Sequence, residues 1–342
     1  YRPGMAIKSD WNRHALNLNF DSDLTNYATL ADQADYQDLK SGLDVKLDFT
    51  RDSVFTGRVD YNQLHSLRSS VDQRFGMGPT LYTLYNYNGG YRYVFNRVTF
   101  KAEFDVVRYD YQNVKTSTGA TLDMKSMSHW EYVPSVRVGY LIQPEYEAFF
   151  KYIPKTVDYD TLVKSNGFGE AFNRNSTGYN VLAGLAFDLT ELITGDLSFG
   201  FIERNYQDSR ISSISGINGF FNLKWRPTGL TTITARVSRD ITETTQPYVS
   251  GILSSGLLIG VEHELLRNVL LRLGGGYQML DYKSTGILDR NDKMLTGNFG
   301  AKYLLNRNLS GDVGYSYQNR ETNFINSGYT GHLIMFSLRG QF

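Results

Sequence analysis

The chain has 342 residues and is formally neutral, with 35 basic against 35 acidic side chains, so neither nucleic acid nor an anionic lipid surface attracts it as a whole. Cys 0 removes disulfides, zinc–thiolate sites and cysteine nucleophiles together. Tyr 25, Phe 20 and Gly 32 beside Pro 7 is the composition of strands and tight turns, and no run reaches the ~20 apolar residues that a membrane-spanning helix needs.

In chain order, no signal peptide is visible at Tyr1, so an exported protein would have lost it before this numbering begins. Residues 1–11 read as a periplasmic lead-in or a partial strand, and 12–342 as one domain of successive strands, each of about 10 to 15 residues. Short polar turns are predicted at 50–53, 96–97, 143–145, 190–195, 226–229, 266–268 and 306–308. Longer connections rich in Ser, Asn, Asp and Gly fall at 25–36, 69–79, 113–128, 158–176, 207–213, 243–247, 283–291 and 321–327. Seven turns alternating with eight loops give about sixteen strands, with eighteen as the alternative count. Short turns at one end and long loops at the other are the asymmetry of an all-β, transmembrane, antiparallel up-and-down barrel, with the short turns in the periplasm.

Period-two alternation separates that barrel from a soluble sandwich. From Leu309, one face carries Leu309, Gly311, Val313, Tyr315 and Tyr317, and the other Ser310, Asp312, Gly314, Ser316 and Gln318. Likewise Leu43, Val45, Leu47 and Phe49 oppose Asp44, Lys46 and Asp48. Three charges turned into a dry core would each cost several kcal/mol, in the range of about 3–5 for a broken buried pair, whereas a water-filled lumen solvates them. Parity assigns to the lumen Asp44, Lys46, Asp48, Arg58, Asp60, Lys101, Glu103, Asp105, Arg137, Glu147, Lys151, Asp188, Arg204, Lys224, Arg226, Arg236, Asp240, Glu262, Arg272, Lys302, Asp312 and Arg339. The signs are mixed, unlike the single-signed ring of an ion-selective filter. Inward aromatics are few, Phe149 and Phe220 being the clearest, so a stacking track for sugars is not expected. Outward rings near the turns (Phe49, Phe95, Tyr140, Phe199, Trp225) and towards the loops (Tyr61, Tyr85, Trp130, Tyr277) read as two interfacial girdles.

Signs of catalysis are weak. The five histidines His14, His65, His129, His263 and His332 lie on separate segments, none beside a recognisable nucleophile motif. The acidic residues Asp21, Asp23, Asp32, Asp35 and Asp38 match no calcium-loop spacing. Gly274-Gly275-Gly276 runs on into a strand rather than a helix, so it is not a phosphate loop. No cofactor, no metal and no enzymatic activity are expected.

The segments KSDWNRHALNL (8–18), FNLKWRPTGLTTITARVSRDITET (221–244), VEHELLRNVLLRLGGGYQMLDY (261–282) and AKYLLNRNLSGDVGYSY (301–317) resemble the putative beta-barrel porin 2 family. The best motifs are Trp225-Arg226-Pro227, Arg239 with Glu243, and His263-Glu264-Leu265-Leu266-Arg267-Asn268. The resemblance implies an outer-membrane barrel associated with exopolysaccharide or capsule production, with outer-membrane lipid, a secreted polysaccharide and periplasmic export components as partners. The alternating last strand, with Phe336, Leu338 and the terminal Phe342 on one face, resembles the signal by which such barrels are recognised by the assembly machinery. A conduit for the polymer is the expected role. A diffusion porin for small solutes and an anchoring barrel for a surface polymer are the alternatives.

Overall fold

The computed structural model describes residues 1–29, 34–66, 76–164, 169–190, 192–244, 246, 249–284, 290–325 and 327–341. Strands β1 (Gly4–Lys8), β2 (His14–Thr25), β3 (Tyr36–Asp48), β4 (Ser53–Ser66), β5 (Thr80–Phe95) and β6 (Val98–Tyr111) form the first part of the sheet. The loop after β6 holds a small hairpin, β7 (Val114–Lys115) and β8 (Thr121–Leu122), and a 3-10 turn at Met124–Met127. Next come β9 (His129–Gln143) and β10 (Tyr146–Tyr159), followed by a second loop hairpin of β11 (Val163–Lys164) and β12 (Ala171–Phe172). The remainder is β13 (Ser176–Leu189), β14 (Ile193–Tyr206), β15 (Ile214–Thr228), β16 (Thr231–Thr242), β17 (Val249–Leu266), β18 (Val269–Ser284), β19 (Arg290–Leu304), β20 (Leu309–Thr322) and β21 (Tyr329–Gly340).

Outside the two loop hairpins, every strand joins one 17-stranded antiparallel sheet in which sequence neighbours pair. The turns explain the regular meander. Asn96 has φ 54° in the two-residue turn between β5 and β6, a conformation asparagine tolerates and tight hairpins demand. Thr190 takes the same φ between β13 and β14, at a cost because its side chain is β-branched. β15 runs to Thr228, past the start of the turn expected at 226, and its register with β16 shifts between Trp225 and Thr228. Pro227 has no N–H to offer the ladder there, so the pairing skips it.

Gly4–Lys8, inside the segment read as a lead-in, is a wall strand paired with β2 from Gly4↔Asp21 to Lys8↔Asn17. Further bonds carry this ladder on, Leu24 N donating to Tyr1 O at 2.8 Å and Ser9 N to Leu16 O at 2.8 Å. β1 and β21 are the edges of the sheet, and among the described residues no ladder joins them. The edges nevertheless share an interior: Arg2 lines one cavity with Met335, Ser337 and Arg339 of β21. Arg137 on β9 and Asn298 on β19 likewise line one space, so the sheet curls round a common lumen.

The outer face carries rows of exposed apolar side chains, as with Ile217 at 70 % and Phe199 at 63 %. Rows of such side chains need lipid rather than water opposite them. The clusters of buried apolar residues sit elsewhere, inside the loop end.

Candidate functional site

The lumen has two storeys with different physics, and the upper one is a packed core. Leu122, Met124, Met127 and Val163 from the loops close over Val157 and Tyr159 on the inner face of β10. Beside them a row of rings crosses four strands: Tyr82 and Tyr111 have centroids 5.1 Å apart, and His129 lies 4.6 Å from both Tyr109 and Tyr159. The expectation of few inward aromatics is corrected by this row. It follows from continuing the inward parity of Asp105 through Val107 to Tyr109 and Tyr111, where the strand outlasts the charged lumen. With loop side chains over it, the row is no open track.

The top of the β16–β17 hairpin completes the closure. Strict alternation would point Ile241 and Leu253 at lipid, yet both pack against Ile202 and Ile214 on the inner face of β14 and β15. β15 pairs with β16 only below Gly219↔Arg239, which leaves the hairpin top free to turn inward. All five residues from Val249 to Leu253 are buried as a result. Arg174, from the loop before β13, clasps this hairpin: its guanidinium donates to Val249 O at 3.1 Å and to Ser250 O at 2.9 Å. Arg204, 4 % exposed, is paired with Glu243 at 3.2 Å. A further knot lies between β18, β19 and β20, where Asp292 accepts from Arg290 Nη2 at 2.8 Å and from Arg320 Nε at 3.0 Å while Tyr282 donates to it at 3.1 Å.

The lower storey, towards the short turns, is open. A cavity of about 1160 Å³ is bounded by strands from β9 round to β20. On the wall from β3 to β10 the charges occur in pairs. Arg58 binds Asp44 at 3.0 Å and Asp60 at 2.8 Å, Lys46 binds Asp48 at 3.2 Å, and Glu103 lies between Lys101 and Lys151 at 2.6 and 3.7 Å. Arg137 binds Glu147 at 2.9 Å and stacks 3.7 Å over the Phe149 ring. Asp105 accepts from Asn88. On the wall from β15 to β21, Arg272 reaches across Gly300 to Asp312 at 2.7 Å. Among the described residues Lys224, Arg236, Lys302 and Arg339 have no ion-pair partner. Asp188, Asp196 and Glu262 line the same cavity, Asp196 accepting from Asn222 at 3.2 Å.

Of the charges assigned to the lumen by parity, Arg204 and Asp240 lie on the inner face but in the upper storey, and Asp60 is 7 % exposed. Leu338 and Phe336 stand on the outer face of β21, 71 % and 80 % exposed, and Phe342 lies outside the described residues. Sequence reasoning missed Arg174, Arg290 and Arg320. Inward parity continues from Gln318 to Arg320, but Arg290 and Arg174 fall in connections expected at 283–291 and 158–176, where parity does not apply.

Solved structures share the fold at low identity. The FrpB iron transporter from Neisseria meningitidis (F3-3 variant) superposes with a TM-score of 0.55 at 10 % identity, covering 100 % of this chain and 65 % of that one. The ferric citrate transporter FecA in its unliganded form gives 0.53 at 10 %, covering 98 % and 60 %. The chain thus spans less than two thirds of the length of these transporters, and the likeness speaks for the fold alone. No curated protein matches the chain. The fold and the family point together to an outer-membrane location. The family model described as Putative beta-barrel porin 2 matches residues 1–342, and the chain belongs to that family.

Proposed function

We propose that the protein is a non-catalytic outer-membrane conduit in exopolysaccharide or capsule secretion, held shut at its outer mouth until the β16–β17 hairpin moves. The observation that carries this reading is the contrast within one lumen: a charged, open lower storey leads to a loop end where the top of the β16–β17 hairpin packs inward. Short turns face the periplasm in such barrels, so the open cavity would receive polymer from inside the cell. A diffusion porin would need a standing aqueous path at the mouth, and the inward hairpin narrows that path. The polymer itself is proposed from the family resemblance.

Single-channel conductance in planar bilayers tests the gate. The native chain should conduct rarely, and Arg174→Ala, which frees the carbonyls of Val249 and Ser250, should raise the open fraction about tenfold for each ~1.4 kcal/mol of closed-state stabilisation lost. Large stable currents from the native chain would mean a diffusion porin. Silence from both would mean an anchoring barrel.

A further inference from the structure

We propose that the lower cavity holds a binding site for a carboxylate-bearing saccharide, centred on Lys224 and Arg236; this rests on the conduit reading and names the class of polymer it carries. The two cations stand on adjacent strands, one alternation apart: Asn222 faces Arg236 and Lys224 faces Thr234 across the β15–β16 ladder. Among the described residues neither has an ion-pair or hydrogen-bond partner. An ion pair cancels its own field within a few ångströms, whereas an unpaired cation in a water-filled lumen projects its field over about a Debye length, ~8 Å at physiological salt. The same cavity carries Asp188, Asp196 and Glu262, so its charge is mixed, and Lys224 with Arg236 forms the local cationic patch within it. Lys302 and Arg339 extend it towards β21.

A simple anion would need nothing more, but the cavity offers more. Next to Thr234 the wall runs Gly260, Gly274, Asn298 in one row across four strands. A Cβ on Gly274 would sit 2.2 Å from Asn298 Oδ1, so the glycine is what allows the asparagine amide to lie flat along the wall. The recess between the cations and this amide is therefore floored by glycine, with the inward Leu258 opposite Arg236 as an apolar side chain beside it. Hydroxyl and amide groups of Thr234, Thr296, Asn298 and Ser316 suit sugar hydroxyls, which both donate and accept. Asp188, Asp196 and Glu262 are acceptors for hydroxyl pairs, and none is within ion-pair distance of Lys224 or Arg236 among the described residues. At about 1160 Å³ the cavity exceeds the ~300–1,000 Å³ of an ordinary small-molecule pocket, so it has room for several sugar units. Carboxylates would meet Lys224 and Arg236 in charge-assisted hydrogen bonds, the guanidinium in bidentate fashion.

The test is calorimetric, on the full chain in detergent, with tetragalacturonate as the acidic probe and maltotetraose as the neutral one. Tetragalacturonate should bind, maltotetraose should bind at least about tenfold more weakly, and K224Q/R236Q should weaken tetragalacturonate by about tenfold or more. Lys46→Gln, on the opposite, paired wall, should leave the affinity unchanged. Should the double variant not fold, raising salt on the native chain decides the same question, because the site predicts a steep loss of tetragalacturonate affinity. Equal affinity for the two sugars, an affinity indifferent to K224Q/R236Q, or one indifferent to salt overturns the site. Binding needs no channel, so the two readings fail separately: currents without binding remove the site and keep the conduit, and binding with silent bilayers removes the conduit and keeps the site.

Discussion

Asp292 and Asp312 are both inward carboxylates held by arginine, one at each end of the lumen, and they live in different solvents. Asp292 is fully enclosed between Arg290 and Arg320, whose side chains are 2 % and 7 % exposed. Asp312 meets Arg272 with that guanidinium-bearing side chain 48 % exposed. A charge on the inner face of a barrel is thus not evidence of water there; what lies over it decides. At the loop end the covering is chain, and the Asp292 carboxylate survives there because it is bonded several times over. At the turn end the covering is solvent, and a single contact is enough.

Removing one carboxylate at each end should show the largest difference. Asp292→Asn leaves two enclosed cations facing a neutral amide, and breaking such a buried set costs about 3–5 kcal/mol. Asp312→Asn removes a contact of the exposed kind, worth less than about 1 kcal/mol. Urea titration of the two variants, folded side by side into the same bilayer vesicles, measures the gap. Equal losses would erase the distinction between the storeys.

Charge reversal at the turn end should move function while sparing the fold. With Lys224, Arg236 and Arg272 all changed to Glu, the hydrated wall turns from cationic to anionic, and the outward lipid contacts stay as they were. The variant should assemble in normal amount, and in a gate-released background its reversal potential should shift towards cations. Failure to fold would mean that the lower storey is as dry as the upper.

How far the sequence shows this difference depends on the residue. The meander was legible because turns such as 96–97 and 266–268 punctuate strands of matched length, and the parity of Leu223 against Asn222 or Val313 against Asp312 follows from pleating alone. β1 was harder, since five residues beside a proline and a glycine carry little alternation to count. Strict alternation would point Ile241 and Leu253 at lipid, because period two assumes that a strand stays in its sheet. They are inward because β15 stops pairing with β16 above Gly219, and that break is set by loop packing far away in sequence. Arg174 carried no signal for the same reason: its partners are backbone carbonyls 75 and 76 residues on, and a carbonyl has no sequence signature.

A third environment sits outside the membrane, where residues 170–173 are tied to the loop after β14, and it should give the smallest effect. Arg210 donates to Asp208 at 2.7 Å and to Glu170 at 2.5 Å and lies 4.4 Å over the Phe172 ring, while Asn173 N donates to the Asp208 carboxylate at 3.1 Å. The hydrogen bond from the Arg210 guanidinium, ahead of every other cause, holds the Asp208 carboxyl well below the usual carboxylate range. A depressed folded value means that the carboxylate's contribution is fully present above the unfolded value of about 3.9 and is lost only as pH falls through the lower folded one. The Asn173 amide reports this directly. Its hydrogen-exchange protection should be flat from neutral pH to about pH 4 and give way only in stronger acid. In Arg210→Ala the loss should move up towards about pH 3.9, the ordinary aspartate value, while the Asp292 knot and the assembly of the barrel stay as in the native chain. If the Asn173 amide instead loses protection near neutral pH in the native protein, the carboxylate is not what holds it, and the tie between the two loops rests on the contacts of Arg210 with Glu170, Ala171 and the Phe172 ring.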